Sequence, residues 1–143
     1  MQTGGYKGRS REVDPAELRR AMSARYGIPE PWIIAEYGMT ELSSQLYETT
    51  LRDQLEGTSS PRRLWVPPWV RATPVDPDTL DPIEGIASGV LRIDDCANLG
   101  SVCCIQTSDL ARNIGNGIEI EGRAKGATPR GCSLAADQAL GAS

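Results

Sequence analysis

The chain reads as α/β grading into α+β: one or two helices followed by mixed, mainly antiparallel strands. Two observations predict this. Early on, a well-capped helix is joined by a short loop to an apolar strand, which is half of an α/β unit. Later, three strand-like stretches, Ile86 to Ile93, Val102 to Thr107 and Gly117 to Glu121, follow one another with no helical pattern between them.

Residues Met1 to Glu12 are glycine-rich and charged and read as a loop. Asp14 can cap the helix that follows, Pro15 suits its first position, and Glu17 completes a capping-box pattern. Leu18, Ala21, Met22 and Tyr26 fall on one helical face, and Gly27 with Pro29 stops the helix. The strand Trp32 to Ala35 comes next, leading into Tyr37-Gly38-Met39-Thr40-Glu41. A strand ending in a tight glycine turn presents its next residues at the carboxyl edge of a sheet, where open α/β folds hold ligands. Two readings of that run stand side by side. Thr40 can donate to a phosphate oxygen while Glu41 holds a magnesium ion, or Thr40 simply caps a helix. Residues 42 to 56 fit a polar helix weakened by Thr49-Thr50, and Thr58 to Pro61 is a loop. Arg62 to Val66 and Trp69 to Ala72 read as short strands broken by Pro67-Pro68, which confines them to an edge or a bulge. Thr73 to Pro82 is a loop. In the strand Gly117 to Glu121, Ile118 and Ile120 face one way and Glu119 and Glu121 the other, as in a half-exposed strand. Ser133 can cap a last helix, Leu134 to Leu140. No internal repeat is visible.

The 143 residues suffice for one domain, or a large piece of one, burying roughly two-thirds of its unfolded surface. With 39% hydrophobic and 24% charged residues, the composition is ordinary for a globular chain. Net charge is −4, and the arginines pair only at Arg19-Arg20 and Arg62-Arg63. No basic face is available for a nucleic-acid backbone. No apolar run approaches the roughly 20 residues of a membrane span, and no export-type segment opens the chain, so the expected location is the cytoplasm. Cys96, Cys103, Cys104 and Cys132 form no CxxC pair, and the chain has no histidine. A zinc site of the usual kind is therefore not expected. Hydrolase mechanisms that use an imidazole base are excluded outright. Cys103 and Cys104 would point to opposite faces of a strand, so at least one is expected in the core.

Four segments, taken in order, resemble the adenylate-forming superfamily of acyl ligases, and within it the acyl-protein synthetases of bacterial luminescence. They are Thr3-Gly4-Gly5-Tyr6-Lys7-Gly8-Arg9; Tyr37 to Glu41 with Ser43-Ser44-Gln45; Asn98-Leu99-Gly100-Ser101 running to Thr107-Ser108-Asp109-Leu110; and Gly122 to Gly126 with Arg130-Gly131-Cys132-Ser133-Leu134. The resemblance implies the carboxyl-terminal part of that family's large domain, spanning residues 1–143. It also implies ATP and magnesium as cofactors and a carboxylic acid, of the fatty-acid kind, activated as its acyl-adenylate. An anionic carboxylate must approach a polyanion, so donors and magnesium have to neutralise the phosphate as charge develops. By resemblance Thr40 contacts the phosphate and Glu41 the metal. Tyr37 lies along the adenine beside Gly38, Asp109 accepts from both ribose hydroxyls, and Gly4 and Gly5 lie near the nucleotide. Arg123 marks the nucleotide-side hinge, or else caps a sheet edge. Cys132 is the thiol that takes the acyl group before an acyl reductase or other acceptor protein, or else a small buried residue. A helix amino terminus and Arg130 beside it would favour thiolate, the nucleophilic form.

The departures are as informative. The Ser/Thr/Gly-rich loop that wraps the triphosphate is absent, as is most of the acyl pocket, and the family's mobile lid with its catalytic lysine is not recognisable. Lys7 and Lys125 are the only lysines, and neither fits that role. Met1 is thus expected to be an internal or false start, or the gene to be broken. Two alternatives follow: an acyl- or aryl-CoA ligase, with coenzyme A in place of Cys132, and a non-catalytic remnant or interaction module.

Overall fold

The computed structural model describes residues 2–3 and 13–125. Gln2 and Thr3, expected in a loop, form strand β1 (Gln2–Thr3). The rest of the expected amino-terminal loop, Gly4, Gly5, Cys132 and the helix expected over Leu134 to Leu140 lie outside the described residues.

Helix α1 (Pro15–Tyr26) starts and stops where its caps dictate. The Asp14 carboxylate accepts from the amides of Ala16 and Glu17 at 2.9 and 3.0 Å. At the other end Gly27 adopts φ 64°, a left-handed conformation that costs glycine little. The expected apolar face is only partly covered: among the described residues no side chain of α1 is buried.

The strand expected at Trp32 is displaced. Glu30–Trp32 forms a 3-10 turn, and strand β2 (Ala35–Tyr37) begins only after it. Arg62 is the physical reason. Its guanidinium donates to the carbonyls of Glu30 and Ile33 at 3.1 and 3.2 Å and to both oxygens of Glu48 at 3.0 Å. Glu48 in turn accepts from the Ala35 amide at 2.8 Å, fixing the entry into β2.

The helix expected over residues 42 to 56 also divides. Leu46 and Glu48 are buried and Tyr47 is exposed, the alternation of strand β3 (Leu46–Glu48). Helix α2 is confined to Thr50–Leu55. Strands β4 (Leu64–Trp65), β5 (Val70–Val75), β6 (Gly89–Asp95), β7 (Cys104–Ile114) and β8 (Gly117–Arg123) complete the described elements. They form one eight-stranded sheet in the order β1-β2-β3-β4-β8-β7-β6-β5. Only the β1–β2 pair is parallel. The expectation of helices and mainly antiparallel strands therefore holds. β5 lies at the sheet edge, where Pro74 removes no needed donor.

The main buried cluster includes Leu91 and Ile93 of β6, while Val75 and Val90 are buried on the other face of the same strand pair. Leu46, Leu64, Val70, Leu91, Ile93, Ala111 and Ile118 form a single buried cluster. Leu91 and Ile93 alternate with the less buried Arg92 and Asp94 along β6. Cys103 and Cys104 are not in it, contrary to expectation; both are exposed. Cys103 precedes β7 and Cys104, its first residue, pairs with Asp94, so both sit beside the loop that joins β6 to β7.

Gly117 is where β4 and β8 meet. A Cβ there would lie 2.3 Å from the Leu64 carbonyl oxygen. Overpacking against backbone has no flexible neighbour to absorb it. Gly117→Ala is therefore expected to cost about 2 kcal/mol or more, measured as a lowered urea midpoint. An unchanged midpoint would show that β4 does not approach β8 this closely.

Candidate functional site

Tyr37 is the last residue of β2, and its hydroxyl donates to Asp109 Oδ2 at 2.8 Å across 72 residues of sequence. On the other side of the carboxylate, Arg123 Nε lies 3.3 Å from Asp109 Oδ1. Asp109 and Arg123 are direct cross-strand partners in β7 and β8. The sheet thus brings Tyr37, Asp109 and Arg123 to one place. Register shifts flank Asp109, between Val90 and Arg92 on the β6–β7 side and between Leu110 and Ala111 on the β7–β8 side. Such bulges re-aim side chains at sheet ends. The bulge before Asp109 is held by Thr107, whose hydroxyl donates to the Leu91 carbonyl at 2.8 Å and accepts from the Asp109 amide at 3.0 Å.

Burial raises the Tyr37 hydroxyl well above the usual phenol range, and the Asp109 charge and hydrogen bond push the same way. The phenol is a permanent neutral donor. Each Asp109 oxygen keeps a free lone pair after these contacts, so the carboxylate can still accept from a ligand.

Thr40 and Glu41 occupy the centre of a turn that follows β2, closed by the Leu42 amide on the Met39 carbonyl at 3.1 Å. No helix begins there, so the reading of Thr40 as a helix cap is not realised. Both residues are exposed, and the Thr40 hydroxyl donates to Glu41 Oε2 at 3.0 Å. Gly38 does not adopt positive φ, and a Cβ on it would meet Gln45 Cγ at an ordinary 3.4 Å. The turn is not forced by Gly38.

Asp95 fixes the position of this turn, and the sequence reading missed it. It is fully buried at the end of β6, on the same face as Leu91 and Ile93. Its Oδ2 accepts from the amides of Ser43 and Ser44 at 3.0 and 2.8 Å, and its Oδ1 from the Ser44 hydroxyl and the Ala97 amide at 2.9 and 3.0 Å. Trp69 Nε1 donates to the Ser44 hydroxyl at 3.0 Å. Asn98 supports the same loop, donating to the Glu41 and Val102 carbonyls at 2.8 and 3.1 Å. Asp95 had a sequence signal: it continues the inward positions of β6, where a lone carboxylate needs a full set of donors. A surface depression of about 440 Å³ beside α2, lined by residues including Pro31, Asp53 and Ser60, contains none of these groups.

The donor set can be tested against magnesium and ATP. Among the described residues no group of three or more acidic, cysteine or histidine side chains converges. A cation at Glu41 would have one protein carboxylate, with phosphate and water oxygens completing its shell, which suits magnesium rather than an all-protein cage. The nucleotide would meet a half-buried carboxylate already oriented by Tyr37 and Arg123. The residues fit both groups. Among the described residues, no helix is long and apolar enough to cross a membrane.

This sheet belongs to a known class of architecture. The fold matches apo MatB from Rhodopseudomonas palustris with a TM-score of 0.53 at 21% identity, over 77% of this chain and 24% of that one. It also matches McyG A-PCP complexed with phenylalanyl-adenylate, with a TM-score of 0.55 at 21% identity, over 79% of this chain and 20% of that one. In sequence, 96% of the chain aligns with the long-chain-fatty-acid–luciferin-component ligase of Vibrio harveyi at 27% identity, spanning 36% of that relative. No protein-family model matches. The chain resembles the acyl-protein synthetases of bacterial luminescence, within the adenylate-forming superfamily, and spans about a third of that relative's length.

Burial alone would raise the Asp95 carboxyl and is the largest single influence on it. The hydrogen bonds from the Ser44 hydroxyl and the amides of Ala97, Ser44 and Ser43 together outweigh burial and hold it below the usual range. A depressed folded value means stability that is present above the unfolded pKa, about 3.9, and is lost as pH falls through the folded value. Asp95→Ala is expected to cost about 3 kcal/mol or more by orphaning these donors, and to flatten the fall of the urea midpoint below about pH 4. A wild-type-like acid limb in the variant would contradict this.

Proposed function

We propose that this chain is the nucleotide-side segment of an ATP-dependent ligase that activates a carboxylic acid, most simply a fatty acid, as its acyl-adenylate and passes it to a thiol. The observation that carries this reading is the meeting of Tyr37, Asp109 and Arg123, drawn from three of the four segments that resemble the family. Asp109 accepts from the ribose hydroxyls, with Tyr37 and Arg123 holding its carboxylate in place. Tyr37 also offers ring area to the adenine. Thr40 donates to the phosphate in place of Glu41, and Glu41 is the protein ligand of magnesium, which neutralises phosphate charge when bound. Gly38 contributes to nucleotide binding, as do Gly4 and Gly5, which lie outside the described residues. Cys132 receives the acyl group as a thioester, ahead of an acyl reductase or another acceptor protein. Such chemistry belongs in the cytoplasm, where ATP is supplied.

Because the chain spans 36% of the relative it matches, we expect weak turnover from it alone. This same coverage favours a second reading, an interaction module that keeps the fold without adenylating.

Fatty-acid-dependent exchange between ATP and labelled pyrophosphate separates the two. Exchange by the isolated chain that falls at least about tenfold in Glu41→Ala, roughly 1.4 kcal/mol of transition-state stabilisation, supports the ligase. Absence of exchange together with absence of ATP binding, by calorimetry, supports the module.

Acyl transfer has its own test. With labelled fatty acid and ATP, a hydroxylamine-labile acyl-protein band is expected in the native chain and absent from Cys132→Ser. A band that persists in the variant excludes the cysteine relay, and label appearing only on added coenzyme A supports the acyl-CoA ligase alternative.

A further inference from the structure

Cys103 and Cys104 are both exposed, and their sulfurs lie 3.6 Å apart. Two adjacent thiols in contact are unusual in a chain that otherwise makes no use of either. Neither belongs to the core, and neither faces Tyr37, Asp109 or Arg123 in any hydrogen bond. Their position relative to Asp95 gives them a consequence. The Asp95 amide donates to the Cys103 carbonyl at 2.7 Å, and Cys104 pairs across the sheet with Asp94. The Cys103 carbonyl is part of the amide that joins the two cysteines. Any bond between their sulfurs closes a small ring through that amide and must turn it. Turning it pulls on the hydrogen bond that seats Asp95, which in turn holds Ser43 and Ser44.

We propose that Cys103 and Cys104 form a reversible vicinal dithiol–disulfide site that loosens the Asp95-held loop when oxidised. The oxidant is a small-molecule disulfide. Cys103 thiolate attacks one sulfur of that disulfide, whose S–S bond breaks and releases one thiolate, which takes up a proton. Cys104 then loses its proton and attacks Cys103 Sγ, forming the Cys103–Cys104 bond and expelling the second small thiol. The protein gives up two electrons and two protons, and the small disulfide becomes two thiols. The order of attack is interchangeable, since a mixed disulfide on either sulfur closes to the same ring; contact with Cys103 and the nearby Asp94 push the Cys104 thiol up to about 11. The product is strained. Neighbouring Cα atoms sit about 3.8 Å apart, against the 4.4 to 6.8 Å or so that a relaxed disulfide spans. Strained, exposed disulfides are readily reduced, the property of a switch rather than a staple.

The test treats the whole native chain with oxidised glutathione and follows it by peptide mass spectrometry and amide hydrogen exchange. The expected product lacks two hydrogens in the peptide containing Cys103 and Cys104, and dithiothreitol restores it. Exchange at the Ser43 and Ser44 amides rises about tenfold in the oxidised form and recovers on reduction. Cys104→Ser stops at the mixed disulfide on Cys103 and leaves Ser43 and Ser44 protected. A disulfide that includes Cys96 or Cys132 instead, or a glutathione adduct on native Cys103 that does not close, overturns the proposal. So does ring closure with unchanged exchange at Ser43 and Ser44. None of these readouts depends on adenylation, so failure of the ligase reading and failure of this one are separately visible.

Discussion

A carboxylate with no exposure to water, set at the end of a core strand, organises the side of this molecule that carries Thr40 and Glu41. Asp95 sits where the inward face of β6 would otherwise present another aliphatic side chain beyond Leu91 and Ile93. A buried charge is tolerable only if its acceptors are filled, and here the donors come from the 43–44 loop and from Ala97. Those donors cannot leave without stranding the charge. The turn bearing Thr40 and Glu41 is therefore seated by a demand of the core, and Asn98 adds a second tie through the Glu41 carbonyl.

The same logic operates at a lower level of burial around Asp109. Its two oxygens are addressed by a neutral phenol and a cation from different strands, β2 and β8. A carboxylate gripped from both sides keeps its direction when a ligand arrives, which reduces the cost of organising the site at binding. Arg62 plays the matching part for β2. By occupying the carbonyls of Glu30 and Ile33 and bracing Glu48, it sets where the strand that delivers Tyr37 can begin.

Local signals in the sequence were enough for α1, whose caps at Asp14 and Gly27 are satisfied within a few residues of chain. They were enough for the succession of late strands, because Ile118 and its neighbours alternate visibly. They failed wherever a distant partner decided the outcome. The helix expected over residues 42 to 56 gave way to β3, since pairing with β2 and β4 and the burial of Leu46 outweighed local propensity. Cys103 and Cys104 looked like core because sequence alternation says which residues share a face, not whether another layer covers it. Tyr37, Asp109 and Arg123 were legible only through resemblance; nothing in their spacing announces that the sheet brings them together. Asp95 was legible in principle, as an acid on an apolar face, but most of its donors, on Ser43 and Ser44, lie more than 50 residues away.

Helix α1 carries an implication for how this protein can change over generations. Its twelve residues bury no side chain among those described, so substitutions along its length meet little steric objection. Selection for folding would act on its two ends, where Asp14 and Gly27 stand, and on Arg19 and Ser23, which reach Glu30 and the Ile28 carbonyl, and leave the other positions to drift. Among homologous chains, conservation at those other positions would therefore point to a surface that something else touches, rather than to the packing of this domain.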